Sequence, residues 1–428
     1  MRVTQEQIQN HNESVAGSHE RVFSALAEQI GGQGKDVKKM ISQIAAFQVA
    51  VPSWALGAGG TRFGRFSIGG EPGTLEEKIE DVGLLHALNR SSGAISLHIP
   101  WDIPEDTAAI RRLADEHGLV FDAMNSNTFQ DQTGQNCSYK FGSLSHTDAA
   151  VRKQAIEHNI EVIRYGEALG SKALTVWLAD GSDFPGQQNL RKALGRTRES
   201  LEQIYEELPA DWRILIEYKP YEPNFYSMVI PDWGTSFLLA SKLGEKASTL
   251  VDLGHHLPNT NIEQIVATLM MENKLGGFHF NDSKYGDDDL TTGSVKPFQL
   301  FLIFNELIEG FKNTIETLTA DVAWMIDASH NVKDPLEDLL QSVEAIKTAF
   351  AKALLVDRTK LTEAQETNDP ALAQEVLQDA FQTDVRPLLR EARIQSKGAA
   401  NPIHLYRDLQ VREQLIKERG TQTVATGL

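Results

Sequence analysis

A chain of 428 residues, 41% hydrophobic and 23% charged, has the make-up of a folded globular protein, with room for one large α/β barrel with extensions or two or three smaller domains. A formal net charge of −18 argues against partners that present phosphates or anionic headgroups, so neither nucleic acid nor a membrane surface is expected. The single cysteine, Cys137, excludes an intramolecular disulfide and a thiolate zinc cluster; with no apolar leader in MRVTQEQIQNHNESVAG and no membrane-length run, a cytoplasmic enzyme is expected.

Residues 1–45 read as a polar helical extension. Eight short apolar runs follow, over residues 47–54, 94–101, 119–127, 172–180, 213–220, 248–256, 275–282 and 322–331. They are near-continuous rather than alternating, the pattern of parallel strands covered on both faces. The segments between them carry helical stripes. Ile262, Ile265, Val266, Leu269 and Met270 fall on one helix face, and residues 152–169 and 189–208 repeat the spacing. Alternating strands and helices predict a (β/α)8 TIM barrel over 46–350, with helical extensions at 1–45 and 351–428; a doubly wound open sheet is the runner-up. In the tail, Asn368-Asp369-Pro370 and Asn401-Pro402 read as helix breaks and restarts. The apolar face of this arm is too thin to fold alone, so it is expected to pack on the barrel or on a neighbouring subunit.

In such a barrel the C-terminal strand ends face the active site. Here they carry Trp54, His98, Trp101, Asn125, Asn127, Trp177, Asp180, Glu217, Lys219, Asp252, His255, His279, Asp282, Asp327 and His330. Glu217, Asp252, His279 and Asp327 come one each from the last four strands, an oxygen-rich set that suits Mn²⁺, Mg²⁺ or Co²⁺ and tolerates Zn²⁺. A lone strand-end Asp is more often a helix cap than a ligand; four in series are hard to explain that way. The stretch GGFHFNDSKYGDDD (276–289) adds a second group. If its end is extended, Asp287 and Asp289 point to one side and join His255 in a looser site with open positions, Asp252 bridging the two ions. Asp288 is then solvent-facing and dispensable.

His86, His117, His158 and His404 are read as ordinary histidines of helices and connections. The glycine-rich segment GAGGTRFGRF (57–66) lacks both the phosphate-loop ending and the dinucleotide spacing. It reads equally as a mobile loop and as a lid or inter-subunit contact that would carry Phe63. Trp101 and Trp177 suit the apolar face of a sugar ring.

The segments HIPWD, FDAMNSNTF, KFGSLSHT, KALTVWLADGSDFPGQ, EYKPYEPNFYS, VDLGHHLPNTNIE, GGFHFNDSKYGDDDL and MIDASHNVKDP resemble the L-rhamnose isomerase family. The likeness is to its broad-specificity bacterial branch, which also acts on D-allose and related sugars. It covers residues 45 to 350 and continues more weakly through the tail. Glu217-x-Lys219-Pro220 and Asp252-x-x-His255 are also similar to xylose isomerases. The resemblance implies a homotetrameric, metal-dependent (β/α)8 aldose–ketose isomerase with two divalent ions per subunit, Mn²⁺ foremost and Co²⁺ or Zn²⁺ as alternatives. It implies Glu217, Asp252, His279 and Asp327 as structural metal ligands, and His255, Asp287 and Asp289 as catalytic ones. It places Lys219 near the reacting oxygens, His98 near the oxygen of ring opening, and Asp327 and Ser329 at the site. Trp101, Trp177 and Phe129 become substrate walls, with Phe63 reaching across a subunit boundary. The implied reaction interconverts L-rhamnose and L-rhamnulose, with D-allose and D-psicose beside them, by a metal-assisted 1,2-hydride shift; a cis-enediol route is the rival. A metal-dependent barrel epimerase and a non-catalytic sugar-binding protein are the alternative functions.

Overall fold

The computed structural model describes residues 2–57, 66–222, 225–311, 322–328 and 332–422. All eight expected strands form. They are β1 (Ala50–Pro52), β2 (Ala94–Ser96 and His98–Ile99), β3 (Val120–Phe121 and Met124–Ser126), β4 (Ala173–Val176), β5 (Arg213–Glu217), β6 (Ala247–Asp252), β7 (Leu275–Phe280) and β8 (Ala323–Ile326). Every pairing among them is parallel, and β1 pairs with both β8 and β2. The early halves of β2 and β3 pair through Ala94 and Val120, the late halves through His98 and Asn125. The hydrogen-bonded order therefore returns to the strands it starts from, and the sheet closes into a (β/α)8 barrel.

Register decides what faces inward. Glu217 lies opposite Leu250, Asp252 opposite His279, and His279 opposite Met325. Side chains alternate along a strand, so Leu250 and Asp252 share the inner face, as do Met325 and Asp327. Below them Ala123, Leu215, Leu250 and Ala323 fill the barrel. The outer faces of the strands, with residues such as Val51, Ile95, Ile216, Val251, Phe278 and Ile326, join the buried stripes of the helices in one continuous core. The expected helical stripes appear as Ala149–Leu169, Leu190–Glu206 and Ile262–Met271. Asp148 and Asn189 cap the first two through side-chain hydrogen bonds.

Two helices, Gln5–Gly32 and Val37–Ala46, precede the barrel. After the eighth barrel helix, Pro335–Leu355, the chain continues through Arg358–Glu366, Pro370–Gln382, Arg386–Gln395, Pro402–Asp408 and Val411–Arg419. Asp369 caps the helix that starts at Pro370, and Pro402 starts another, so both breaks lie where the sequence marks them. The arm buries Leu388, Leu389, Ala392, Leu405, Tyr406, Val411 and Leu415. It packs on the N-terminal helices and on Pro335–Leu355 of its own chain. Among the described residues no helix is long and apolar enough to cross a membrane.

Candidate active site

The ends of β5 to β8 bring one ligand atom each from Glu217, Asp252, His279 and Asp327 within 4.8 Å of one another. His279 Nδ1 is 3.2 Å from Glu217 Oε1, 3.5 Å from Asp327 Oδ2 and 3.7 Å from Asp252 Oδ2. Glu217 and Asp252 have left bulk water and Asp327 is partly exposed, with one imidazole among the three. Burial, only partly relieved by His279, pushes Asp327 up to about 6. Burial also opposes charge on His279, but Glu217, Asp327 and Asp252 outweigh it and hold the imidazole at about 9. Glu217 is disfavoured as an anion by burial, yet His279 and His255 keep it well below the ordinary carboxylate range. So much like charge in a low dielectric is what a divalent cation offsets, and the hard O₃N donor set fits one. Asp252 Oδ1 already accepts hydrogen bonds from Gly254 N (2.7 Å), His255 N (3.2 Å) and Asn281 Nδ2 (3.0 Å). An Asp252 carboxylate that bridges two ions, as the spacing suggests, would share its oxygens with these donors.

The second group assembles differently. His255 Nε2 lies 3.0 Å from Asp287 Oδ1, and its Nδ1 is 3.0 Å from the Tyr218 carbonyl. Lys219 Nζ reaches Asp287 Oδ2 at 2.5 Å and also contacts Glu222. Burial, then the charges of Asp327 and Asp252, pushes Asp289 up to about 7. Among the described residues no second set of three such donors is as tight as the first; Lys219 holds one oxygen of Asp287.

The segment is not extended. Asp287 and Asp289 are both left-handed, with φ of 51° and 49°, inside a loop closed by the antiparallel bridge between Asp282 and Leu290. Aspartate tolerates that conformation better than most residues. Both side chains are buried, so the turn rather than strand alternation brings them inward. Asp288, between them, is partly exposed, and its Oδ2 accepts Lys284 N at 2.6 Å and Tyr285 N at 3.1 Å. These two bonds staple the loop, a contact that the sequence does not show.

The ends of β1 to β4 supply an aromatic wall. His98 stacks on Trp101 with ring centres 4.1 Å apart and meets Trp54 and Phe129 edge-on. Phe129 in turn meets Trp177, whose ring lies 5.0 Å from Lys219 Nζ. Charged cluster and wall enclose one cavity of about 590 Å³, lined by Trp54, His98, Trp101, Phe129, Trp177, Glu217, Lys219, His255, His279, Asp287, Asp289 and Asp327 among others. Burial pushes His98 down to about 3, so its imidazole is neutral. Its backbone is held from behind: Asp102 Oδ2 accepts His98 N at 2.8 Å, and Asp102 is paired with the buried Lys78 at 2.6 Å.

Other strand-end candidates go elsewhere. Asp180 accepts hydrogen bonds from Ser143 N, Ser143 Oγ and Ser145 N, and Asp282 from Val295 N and Lys296 N; both clasp loops. Asn125 lines the cavity, whereas Asn127 is buried outside the lining. Phe63, Ser329 and His330 lie outside the described residues. Two cavity residues were underrated. Trp54, named only as a strand-end residue, donates Nε1 to Asp327 Oδ1 at 3.0 Å. Glu222 was not singled out; its only signal was a position three residues beyond Lys219, with which it pairs.

The profile of the xylose isomerase-like TIM barrel family matches residues 90–334. A probable sugar isomerase of Rhizobium meliloti (strain 1021) is 52% identical over 402 residues, 93% of this chain and 92% of its own length. An L-rhamnose isomerase of Rhodopirellula baltica is 22% identical over 392 residues, 82% of this chain and 89% of its own. Among solved structures, an L-ribulose 3-epimerase superposes with a TM-score of 0.51 at 16% identity, covering 73% of this chain and 98% of its own; that likeness speaks to the fold alone.

Proposed function

The chain belongs to the xylose isomerase-like TIM barrel family, and on that premise we propose that it is a metal-dependent isomerase of free sugars. It interconverts an aldose and its ketose, L-rhamnose and L-rhamnulose first, with D-allose and D-psicose as further substrates. The observation that carries this reading is the set of four donors from consecutive strands, within 4.8 Å, facing an aromatic wall across one cavity. Non-catalytic sugar binding would need the wall but not the cluster.

Glu217, Asp252, His279 and Asp327 would hold one divalent ion, and His255, Asp287 and Asp289 a second, with Mn²⁺ the favoured metal. Bound there, the ions supply Lewis acidity to the sugar's C1 and C2 oxygens. The protein's own groups do the rest. His98, neutral at physiological pH, exchanges a proton with the ring oxygen during opening; its Nδ1 has no partner among the described residues. Lys219, lying between Asp287, Glu222 and the Trp177 ring, stabilises negative charge growing on the carbonyl oxygen. Trp54, Trp101, Phe129 and Trp177 keep water from C1 and C2. A hydride then passes from C2 to C1 while a proton passes from O2 to O1, in preference to a cis-enediol whose carbon-bound proton would exchange. Ser329 is a further catalytic residue and Phe63 a further substrate-binding one, and the enzyme is a homotetramer. The chain divides into an N-terminal extension (1–45), a catalytic barrel (46–350) and an arm (351–428), and works in the cytoplasm.

The test is ketose formation from L-rhamnose, D-allose and L-mannose after chelation and re-addition of Mn²⁺, Co²⁺ or Zn²⁺. Metal-restored turnover of at least one aldose is expected; none with any sugar or metal would overturn the reading. Deuterium from solvent appearing at C1 of the product would replace the hydride shift with the enediol route. Epimerised ketose in place of isomerised aldose would move the protein to the epimerases.

A further inference from the structure

The C-terminal arm makes a concentrated set of contacts at the barrel's catalytic end. Arg412 donates Nε and Nη2 to the two oxygens of Asp334 at 3.0 and 2.6 Å, and Nη1 to the Gly69 carbonyl at 3.2 Å. Tyr406 donates to the same Asp334 at 2.7 Å. Asp334 is itself the cap of the eighth barrel helix, accepting Leu336 N at 2.9 Å. Gly69 and Gly70 belong to the loop that leaves β1. Arg419 reaches the Gly70 carbonyl at 3.2 Å and Asp81, on the following helix, at 2.9 Å; Gly70 N donates to the Gly420 carbonyl at 2.9 Å. Contact is close enough that a Cβ on Gly70, whose φ is +70°, would lie 2.7 Å from the Ile416 nitrogen. Arg412, Asp334, Arg419 and Asp81 are largely buried, with side-chain exposures of 13%, 16%, 6% and 2%. Charge-assisted, bidentate pairs in such surroundings fix geometry more firmly than exposed ones.

The two loops so joined follow neighbouring strands. β1 and β8 pair directly, and Trp54 at the end of β1 donates to Asp327 at the end of β8. We propose that the helix Val411–Arg419 is a clamp on the catalytic face, with Arg412 and Arg419 as positioning residues that hold the described segment 66–73 against the start of the eighth barrel helix. By bracing the segments that follow β1 and β8, whose Trp54 and Asp327 line the cavity, the clamp steadies that side of the cavity. Its kinetic consequence rests on the isomerase reading above; its structural consequence does not.

The experiment uses the full chain loaded with Mn²⁺ and compares wild type, Arg412→Ala and Arg412→Lys. Backbone hydrogen exchange is read over 66–73 and 334–340, with β5 and β6 as internal controls. Arg412→Ala is expected to speed exchange in both loops by about tenfold and leave the control strands unchanged. A mouth ordered for only part of the time lowers apparent affinity by that fraction, so KM for the preferred aldose should rise about fivefold with kcat within about twofold. Arg412→Lys, which keeps the charge and loses the fork, should fall between the two, and it decides the matter if the alanine variant does not fold. Unchanged exchange in the two loops overturns the clamp. So does loosening spread equally over β5 and β6, or a loosened mouth with unchanged KM. If the wild type isomerises no aldose, the functional reading fails separately, and the exchange data alone decide the clamp.

Discussion

Strands β5 to β8 end in Glu217, Asp252, His279 and Asp327, with Lys219, His255, Asp287 and Asp289 just beyond, whereas β1 to β4 end in Trp54, His98, Trp101, Phe129 and Trp177. One half of the cavity mouth is charged and the other aromatic. Each makes sense only beside the other. The aromatic half excludes water and lowers the local dielectric, which strengthens every interaction of the charged half. The charged half gives that dry pocket its chemistry. The halves touch where Trp54 donates to Asp327 and where the Trp177 ring meets Lys219. An indole N–H meets a carboxylate at the first, and a ring face meets an ammonium at the second.

The largest effect is expected from breaking the charged half at its centre. His279→Ala should remove the tight metal site and lower kcat/KM by about a thousandfold or more. Metal content and steady-state kinetics check it; full activity with the metal retained would mean that the cluster is not the metal centre. Replacing Asp287 and Asp289 together by Asn should cost about a hundredfold or more in kcat while one ion per subunit stays bound, measured by the same pair of assays. Loss of both ions would merge the two sites into one.

Trp177→Leu attacks the aromatic half. It is expected to raise KM by about tenfold and to admit solvent deuterium to C1 of the product, because water then reaches the reacting carbons. A higher KM with no label would limit the wall to binding.

The halves should also titrate apart. Asp327 and Asp289 are raised to about 6 and about 7, so the stability they contribute to the metal-free protein is present below the unfolded pKa near 3.8 and is lost as pH rises to about 7. His98 is lowered to about 3, so its contribution is lost in the other direction, as pH falls from about 6.5 to about 3. Melting temperature against pH should show Mn²⁺ restoring stability on the neutral side and not on the acid side. The smallest effect is assigned to Asp288→Asn, which weakens the two hydrogen bonds stapling the 284–288 turn. About 1 kcal/mol of local stability and a few-fold loss of kcat/KM are expected. Wild-type activity with unchanged exchange at Lys284 and Tyr285 would return Asp288 to a passive role.

Much of this was legible in one dimension. Continuous apolar runs mark buried parallel strands because burial on both faces is a local property of each run. A carboxylate or histidine that ends such a run lies at the barrel rim whatever the rest of the chain does, which is why Glu217, Asp252, His279 and Asp327 group together on the sequence alone. Asp180 and Asp282 carry the same local signature and are loop clasps, because what they bond to, Ser143, Ser145, Val295 and Lys296, lies 13 to 37 residues away. The sequence by itself determined the strands, the helices and the donors at their ends, all consequences of spacing over a few residues. Only the tertiary structure decided that Asp287 and Asp289 turn inward from left-handed positions, that Trp54 donates to Asp327 across 273 residues, and that Arg412 grips Asp334 across 78. Such pairings depend on which loops closure of the barrel brings together, and no local pattern of residues carries that information.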